Sequence, residues 1–282
     1  MSVKFAAVQM NSTDDVVKNL TTAIELLQKA SDADAVLAVL PENFAGIGSD
    51  ESFRVGIAEA DGRGPIQDWL AAAASRTGMW IVGGTIPVSS DDPGRPYASC
   101  LIFDDSGHRV GRYDKIHLFD VAIPERDEIY RESANTRSGR KPVVISTPWG
   151  GLGCGVCYDL RFPEMFRLLS IEGMDFLVLP AAFTETTGHA HWHSMIRARA
   201  IENLCYVVAA AQGGEHSGGR RTYGHSMIVD PWGEILAEKI VVEGNDVSGC
   251  ISAVIDSIRL QTLRRQFPTL LHRRFHINRP DC

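Results

Sequence analysis

Residues 151 to 164 read Gly-Leu-Gly-Cys-Gly-Val-Cys-Tyr-Asp-Leu-Arg-Phe-Pro-Glu, and no other stretch restricts the fold as much. The apolar, glycine-punctuated first half reads as a buried strand, and Pro163 with Glu164 reads as the first turn of a helix. Side chains alternate along a strand, so Leu152, Cys154 and Val156 share one face, and Gly151, Gly153, Gly155 and Cys157 share the other. The second face is almost bare, which lets another layer approach closely. Cys157 falls at the strand end, where a sharp turn can lift a side chain out of the sheet and expose it. Cys154 reads as core and Cys157 as a candidate nucleophile.

Cys154 and Cys157 also form a C-x-x-C, which fits a redox pair or half of a zinc site. A redox motif usually opens a helix, whereas here the first cysteine lies inside the strand. No second C-x-x-C exists to complete a zinc site. A buried structural cysteine is the remaining alternative. The nucleophile reading requires partners elsewhere in the chain, and two are available. Ala35 to Leu40 is a fully apolar strand followed at once by Pro41 and Glu42, which suits a general base. Arg112 to Leu118 mixes apolar and charged residues, with Lys115 near its end.

The chain reads as mixed α/β. Strands are expected near 3–9, 35–40, 79–87, 97–103, 109–116, 143–147, 151–156, 176–182, 205–211, 225–230, 234–239 and 249–255. Helices are expected near 15–31, 65–77, 163–173, 190–203 and 257–266. Turn signals at Asp104 to Gly107 and Asp230 to Gly233 place hairpins between helical crossovers. So many strands, with helices between some of them, fit two sheets covered by helices. The candidate segments are spread over the sequence, so a single domain spanning 1–282 is expected to bring them together.

Leu-Pro-Glu-Asn-Phe (40–44), Tyr-Asp-Lys-Ile-His-Leu-Phe (113–119) and Gly-Val-Cys-Tyr-Asp-Leu-Arg-Phe-Pro-Glu (155–164) occur in this order with wide spacing. Together they resemble the three signature segments of the nitrilase superfamily of carbon–nitrogen hydrolases, and the resemblance runs from Phe5 to Gly233. It implies a four-layer α-β-β-α sandwich that dimerises through its helical layers. It also implies a catalytic triad of Glu42, Lys115 and Cys157, with no cofactor. A second glutamate belongs near residues 123–133. Glu132, in Arg-Glu-Ser, matches the context, and Glu128 is the runner-up. The Tyr158 backbone N–H would help Lys115 hold the oxyanion. Many relatives have a glycine-rich loop where this chain has the charged stretch Ile123 to Ser133.

Ala-His-Trp (190–192), Arg197 to Glu202 and Cys205 to Gln212 resemble the amide-cleaving Nit branch, in particular the amidases of deaminated glutathione. The ω-amidases, which take 2-oxo acid amides such as α-ketoglutaramate, share Ala-His-Trp and diverge after it. Deaminated glutathione carries carboxylates at both ends, so cationic groups are expected in the pocket. Arg161, just after the nucleophile turn, is the first candidate for substrate contact, with an ion pair to Asp159 or Glu164 as its structural alternative. Phe44 and His191 are further candidates.

Other function classes remain. A degenerate family member could serve as a scaffold or interaction protein, although a scaffold need not keep Glu42, Lys115 and Cys157 together. His189, His191 and His193 alternate, which suggests zinc on a strand but not on a helix, where i and i+2 point apart. The net charge of −7 argues against a nucleic-acid partner. No apolar run reaches the roughly 18 residues of a membrane span, and no signal peptide is evident. Six scattered cysteines suggest a reducing compartment rather than a disulfide framework, so a cytoplasmic location is expected, and the resemblance implies a homodimer or higher homo-oligomer.

Overall fold

The computed structural model describes residues 2–50, 52–123, 128–242, 246–275 and 277. Two mixed sheets lie face to face. In the first, the strands run in the order Gly249–Asp256, Ser2–Gln9, Ala35–Val39, Trp80–Val82, Tyr97–Phe103 and Ile86–Val88, with Arg109–Asp114 also paired to Tyr97–Phe103. In the second, the order is Ile235–Lys239, Ser226–Val229, Tyr206–Ala211, Met174–Ala181, Gly150–Cys154 and Val144–Thr147. Helices α1 (Val16–Asp32) and α3 (Pro65–Thr77), separated by the short α2 (Ser52–Gly56), cover the first sheet. Helices α4 (Pro163–Ile171) and α5 (Glu185–Asn203) cover the second, and α6 (Ser257–Gln266) follows the last strand. This is the expected α-β-β-α sandwich.

Both faces of the central strands are covered, so they read as continuous apolar runs instead of alternating ones. On Ser2–Gln9, Phe5 and Ala7 enter the core between the sheets, while Ala6 and Val8 pack under α1 and α3. The sheets meet through aromatic edges, as where Phe5 packs against Phe176 with ring centroids 5.0 Å apart. The alternation expected for 151–156 holds where it matters. Leu152, Cys154 and Val156 are fully buried. A Cβ on Gly151 or Gly153 would collide with the Gly173 carbonyl or the Met174 side chain, so the bare face does admit a close neighbour.

Several elements differ from the sequence expectation. The strand expected over 79–87 is interrupted between Val82 and Ile86, because Gly84 turns with φ +52° directly under Pro41. Helix α5 begins at Glu185, five residues before the expected start, since Thr184 caps it by accepting the Thr187 N–H. Thr186, Thr187 and Gly188 are weak helix formers, which hid that first turn. The stretch 120–131 is a two-stranded hairpin, Asp120–Ile123 with Glu128–Arg131, whose intervening residues lie outside the described ones. No helix among the described residues is long and apolar enough to cross a membrane.

Candidate active site

The strand Gly150–Cys154 ends two residues earlier than expected. Gly155 still bonds the neighbouring strand through the Val178 carbonyl, and then the chain tightens into a 3-10 turn over Cys157–Arg161. Cys157 itself takes φ +48°, a left-handed conformation that L residues avoid. Its direction is therefore set by this turn and not by strand alternation. Strain at a single non-glycine residue persists only where neighbours hold it. Asp159 does that holding: fully buried, it accepts from the Val156 N–H (2.8 Å), the Tyr113 hydroxyl (2.7 Å) and the His117 N–H (3.0 Å), and its carboxylate lies 2.6 Å from His117 Nδ1. Tyr113 and His117 flank Lys115, so Asp159 joins the cysteine turn to the lysine segment.

Glu42 lies just beyond the strand Ala35–Val39. The Gln212 side chain donates to its carbonyl (3.1 Å) and to the Ser12 hydroxyl (2.8 Å), which in turn donates to the Phe44 carbonyl (2.9 Å). Gly84 completes the support, since any Cβ there would strike the Pro41 carbonyl oxygen. Lys115 extends from the end of Arg109–Asp114 into the same space. Its Nζ donates to Glu42 Oε1 at 2.8 Å and to both Glu132 oxygens, at 3.0 and 2.8 Å. Glu132 also accepts the Phe119 N–H at 2.7 Å. The side chains of Lys115 and Glu42 are 2% and 4% exposed, so this is a desolvated chain of charges whose members satisfy one another.

The electrostatics follow from that burial. Desolvation would lower the Lys115 pKa, but the carboxylates of Glu132 and Glu42 outweigh it and hold the ammonium charged. Burial would raise Glu132, yet the Lys115 and Arg54 charges keep it below the ordinary glutamate value. Cys157 is shifted upward. Burial first and the Glu42 charge second push the thiol well above its usual value, more than Lys115 and a backbone hydrogen bond from Ala182 pull it down. The resting group is therefore a thiol beside the Glu42 carboxylate.

Glu42, Lys115, Cys157 and Glu132 all line one cavity of about 320 Å³, and Tyr158 forms part of its wall. Glu128 bonds the Tyr130 hydroxyl instead (2.9 Å), so Glu132 is the glutamate that reaches Lys115. Three expected substrate contacts do not line the cavity. Asn43 has φ +54°, which turns Phe44 into the core beneath Trp69. Arg161 is absent from the cavity lining; it reaches His191 Nδ1 (3.2 Å) and lies over the Tyr158 and Phe183 rings, at 5.9 and 5.4 Å from their centroids. Its alternative ion pairs with Asp159 or Glu164 are not formed either, among the described residues. The three alternating histidines diverge along α5 as a helix requires. Only His193 joins other candidate ligands, namely His225 and Glu238, whose Oε1 lies 2.9 Å from His193 and 2.7 Å from His225.

Sequence reasoning missed Asp159 as the hub, Gln212 and Ser12 as supports of Glu42, and Arg54 and Arg220 on the cavity wall. Asp159 sat inside a recognised motif and had a signal. Gln212 also closes a recognised segment, Cys205 to Gln212, whereas Ser12, Arg54 and Arg220 lie outside the quoted motifs and are joined to them only by the fold.

The carbon–nitrogen hydrolase family model matches residues 4–265. A deaminated glutathione amidase of Yersinia enterocolitica is 41% identical, over 96% of this chain and 92% of its own. The crystal structure of the Caenorhabditis elegans NitFhit protein superposes with a TM-score of 0.89 at 35% identity, covering all of this chain and 68% of that one. Saccharomyces cerevisiae Nit3, from branch 10 of the nitrilase superfamily, gives a TM-score of 0.85 at 31% identity, over 97% of both chains. This chain belongs to the carbon–nitrogen hydrolase family, within the nitrilase superfamily, and is an amidase.

Proposed function

We propose that this chain hydrolyses deaminated glutathione to 2-oxoglutarate and cysteinylglycine through a thioester on Cys157. The observation that carries this reading is the desolvated Glu42–Lys115–Glu132 chain beside the Cys157 thiol in one cavity. The likeness to deaminated glutathione amidases supports the choice of substrate.

Catalysis begins with Glu42 accepting the thiol proton as sulfur attacks the amide carbonyl. The carbonyl π electrons move to oxygen, and the oxyanion is held by Lys115 Nζ and the Tyr158 N–H. Each such donor contributes about 3–4 kcal/mol to the transition state in comparable enzymes. Protonated Glu42 then gives its proton to the leaving nitrogen, the C–N bond breaks, and cysteinylglycine departs as the amine. In the second half Glu42 takes a proton from water, hydroxide adds to the thioester, the C–S bond breaks, and the proton returns to sulfur. Glu132 touches neither reacting atom. It orients Lys115 and balances its charge, so that Glu42 remains free to exchange protons.

The raised thiol pKa suits this sequence. A thiol that gives up its proton only to Glu42, and only as the C–S bond forms, is guarded from oxidation and stray alkylation. A single domain over the whole chain fits the wide separation of the site residues. A homodimer through the helical layers fits the exposed apolar side chains Ile201, Trp232, Phe267 and Leu271, of which Trp232 and Phe267 pack edge to face at 5.4 Å. Sedimentation of the purified protein as a monomer at micromolar concentration would remove the dimer from this reading.

The deciding assay gives deaminated glutathione and α-ketoglutaramate to the purified protein and follows 2-oxoglutarate. The expected result is a higher kcat/KM for deaminated glutathione. A tenfold preference for α-ketoglutaramate, about 1.4 kcal/mol in transition-state binding, would make the chain an ω-amidase instead. Turnover of neither compound, with no acyl adduct on Cys157 from a panel of amides, would favour the scaffold reading.

A further inference from the structure

We infer that Arg54 is the residue that selects acyl groups ending in a carboxylate, receiving that carboxylate side-on through its Nε–H and Nη2–H. The inference rests on the amidase reading above and adds to it the group that recognises the acyl half of the substrate.

Arg54 stands on α2, a single turn fixed over the cavity rim by Phe53, whose ring packs directly on Gly46 and Gly48. Its side chain is 18% exposed and lines the same cavity as Cys157. Only Nη1 has a charged neighbour, Glu132 Oε1 at 3.7 Å, which is beyond hydrogen-bond reach. Nε and Nη2 are shut off from water and meet no acceptor among the described residues. A guanidinium left in this state is rare, because a buried unpaired donor is costly. These two atoms form one edge of the guanidinium fork, the edge whose two parallel N–H bonds match the two oxygens of a carboxylate.

Among the described residues, the nearby acids Glu132 and Asp50 are already committed. Both Glu132 oxygens accept from Lys115, and one also accepts the Phe119 N–H. Asp50, at the start of the same turn, accepts from the Ser52 and Phe53 N–H groups. A ligand carboxylate, drawn in with a small adjustment of the α2 turn, would supply the acceptor that the described residues do not. The position also fits the length of the substrate. Glu132 bridges Lys115, which faces the reacting carbonyl, and Arg54, so the guanidinium lies one carboxylate away from the oxyanion donor. In a 2-oxoglutaryl acyl group the carboxylate carbon lies four bonds beyond the reacting carbon. Arg220, on the opposite wall, is better satisfied: it donates to the Ala182 carbonyl at 3.0 Å, and its guanidinium lies over the Tyr130 ring.

The test compares Arg54→Ala and Arg54→Lys with wild type in two measurements. The first is calorimetric binding of glutarate, which retains the acyl carbons and the distal carboxylate but has no bond to cleave. The second is kcat/KM for succinamate, which ends in a carboxylate, against butyramide, which does not. In Arg54→Ala the glutarate Kd should rise, and succinamate turnover should fall, by about 10- to 100-fold, with butyramide changed by less than about threefold. Arg54→Lys keeps the charge without the fork and should fall between. Equal losses on both amides with glutarate binding intact would overturn the inference, because Arg54 would then act only through Glu132. Neither readout depends on deaminated glutathione being the substrate, so a failure of that assignment would be seen separately.

Discussion

The floor of the cavity and its rim are built on opposite terms. On the floor, every charged group is answered by the protein. Lys115 is held by Glu42 and Glu132, Asp159 accepts from three separate groups, and Gln212 and Ser12 fix the Glu42 backbone. Apart from Glu132, which follows the hairpin strand Glu128–Arg131, these sit at or near strand ends of the two sheets or in the turns that leave them. On the rim, α2, the hairpin Asp120–Arg131 and the segment 217–220 carry Arg54 and Arg220, each with buried N–H groups that no protein acceptor meets. The floor is complete without substrate, whereas the rim is completed by one. Rigid elements thus position the chemistry and loops read the substrate, the division expected when a packed scaffold serves a family with varied substrates.

The comparison predicts that damage to the floor should be severe and indifferent to substrate. Cys157→Ala should reduce hydrolysis of every amide to background, and intact mass spectrometry should lose the acyl adduct. Cys154→Ala, three residues away in the core and beside Cys100, should keep most activity and only lower the melting temperature. Comparable loss of activity from Cys154→Ala, with the fold intact, would revive the redox reading of the C-x-x-C.

Next in size is Lys115→Met. It removes an oxyanion donor, which should lower kcat by about 10²- to 10³-fold. It also strands Glu42 and Glu132 as buried uncompensated carboxylates, at a cost of about 3–5 kcal/mol in stability. Denaturant melts would expose the second effect separately from the first. The acid limb of stability should change as well. The Glu132 pKa lies below its unfolded value, so its contribution is present above about pH 4.3 and is lost as pH falls through the folded pKa. Replacement by methionine removes the charge that depresses it, so stability in Lys115→Met should begin to respond to pH at a higher pH than in wild type. An unchanged acid limb would mean that Lys115 and Glu132 are not coupled in solution.

A smaller loss is expected from Gly84→Ala, far from the substrate. The φ of +52° and the collision with the Pro41 carbonyl should cost about 1–3 kcal/mol. The displaced Pro41-Glu42 segment should lower kcat equally for charged and neutral amides. A melting temperature and kcat equal to wild type would show that the turn tolerates a Cβ after all.

This floor is largely legible in the sequence, and the rim is not. Glu42, Lys115 and Cys157 each fall at the end of an expected strand, and the resemblance of their three segments to the family signatures joins them into one candidate triad. Glu132 is separable from Glu128 only by its local context, and the hydrogen bonds to Lys115 agree with that choice. The rim resists because its elements are short. One helical turn at 52–56 and a hairpin of four-residue strands carry too few residues for a periodic signal. The cationic group was expected at Arg161, the position adjacent in sequence, but a 3-10 turn carries that side chain behind the wall. Arg54 lies far before Cys157 in the chain and enters the cavity only through folding.

The smallest predicted effect tests that correction directly. Arg161 touches the cavity only from outside, over the rings of Tyr158 and Phe183, and shares a hydrogen bond with His191 at the surface. Stacking of this exposed kind contributes about 0.5–1 kcal/mol. Arg161→Ala should therefore lower kcat/KM by no more than about fivefold. The loss should be the same for succinamate and butyramide, because the guanidinium backs the wall and never meets the carboxylate. If Arg161→Ala instead discriminates between the two amides as strongly as Arg54→Ala, the anion is read from behind the nucleophile turn, and the separation of floor from rim fails at that point.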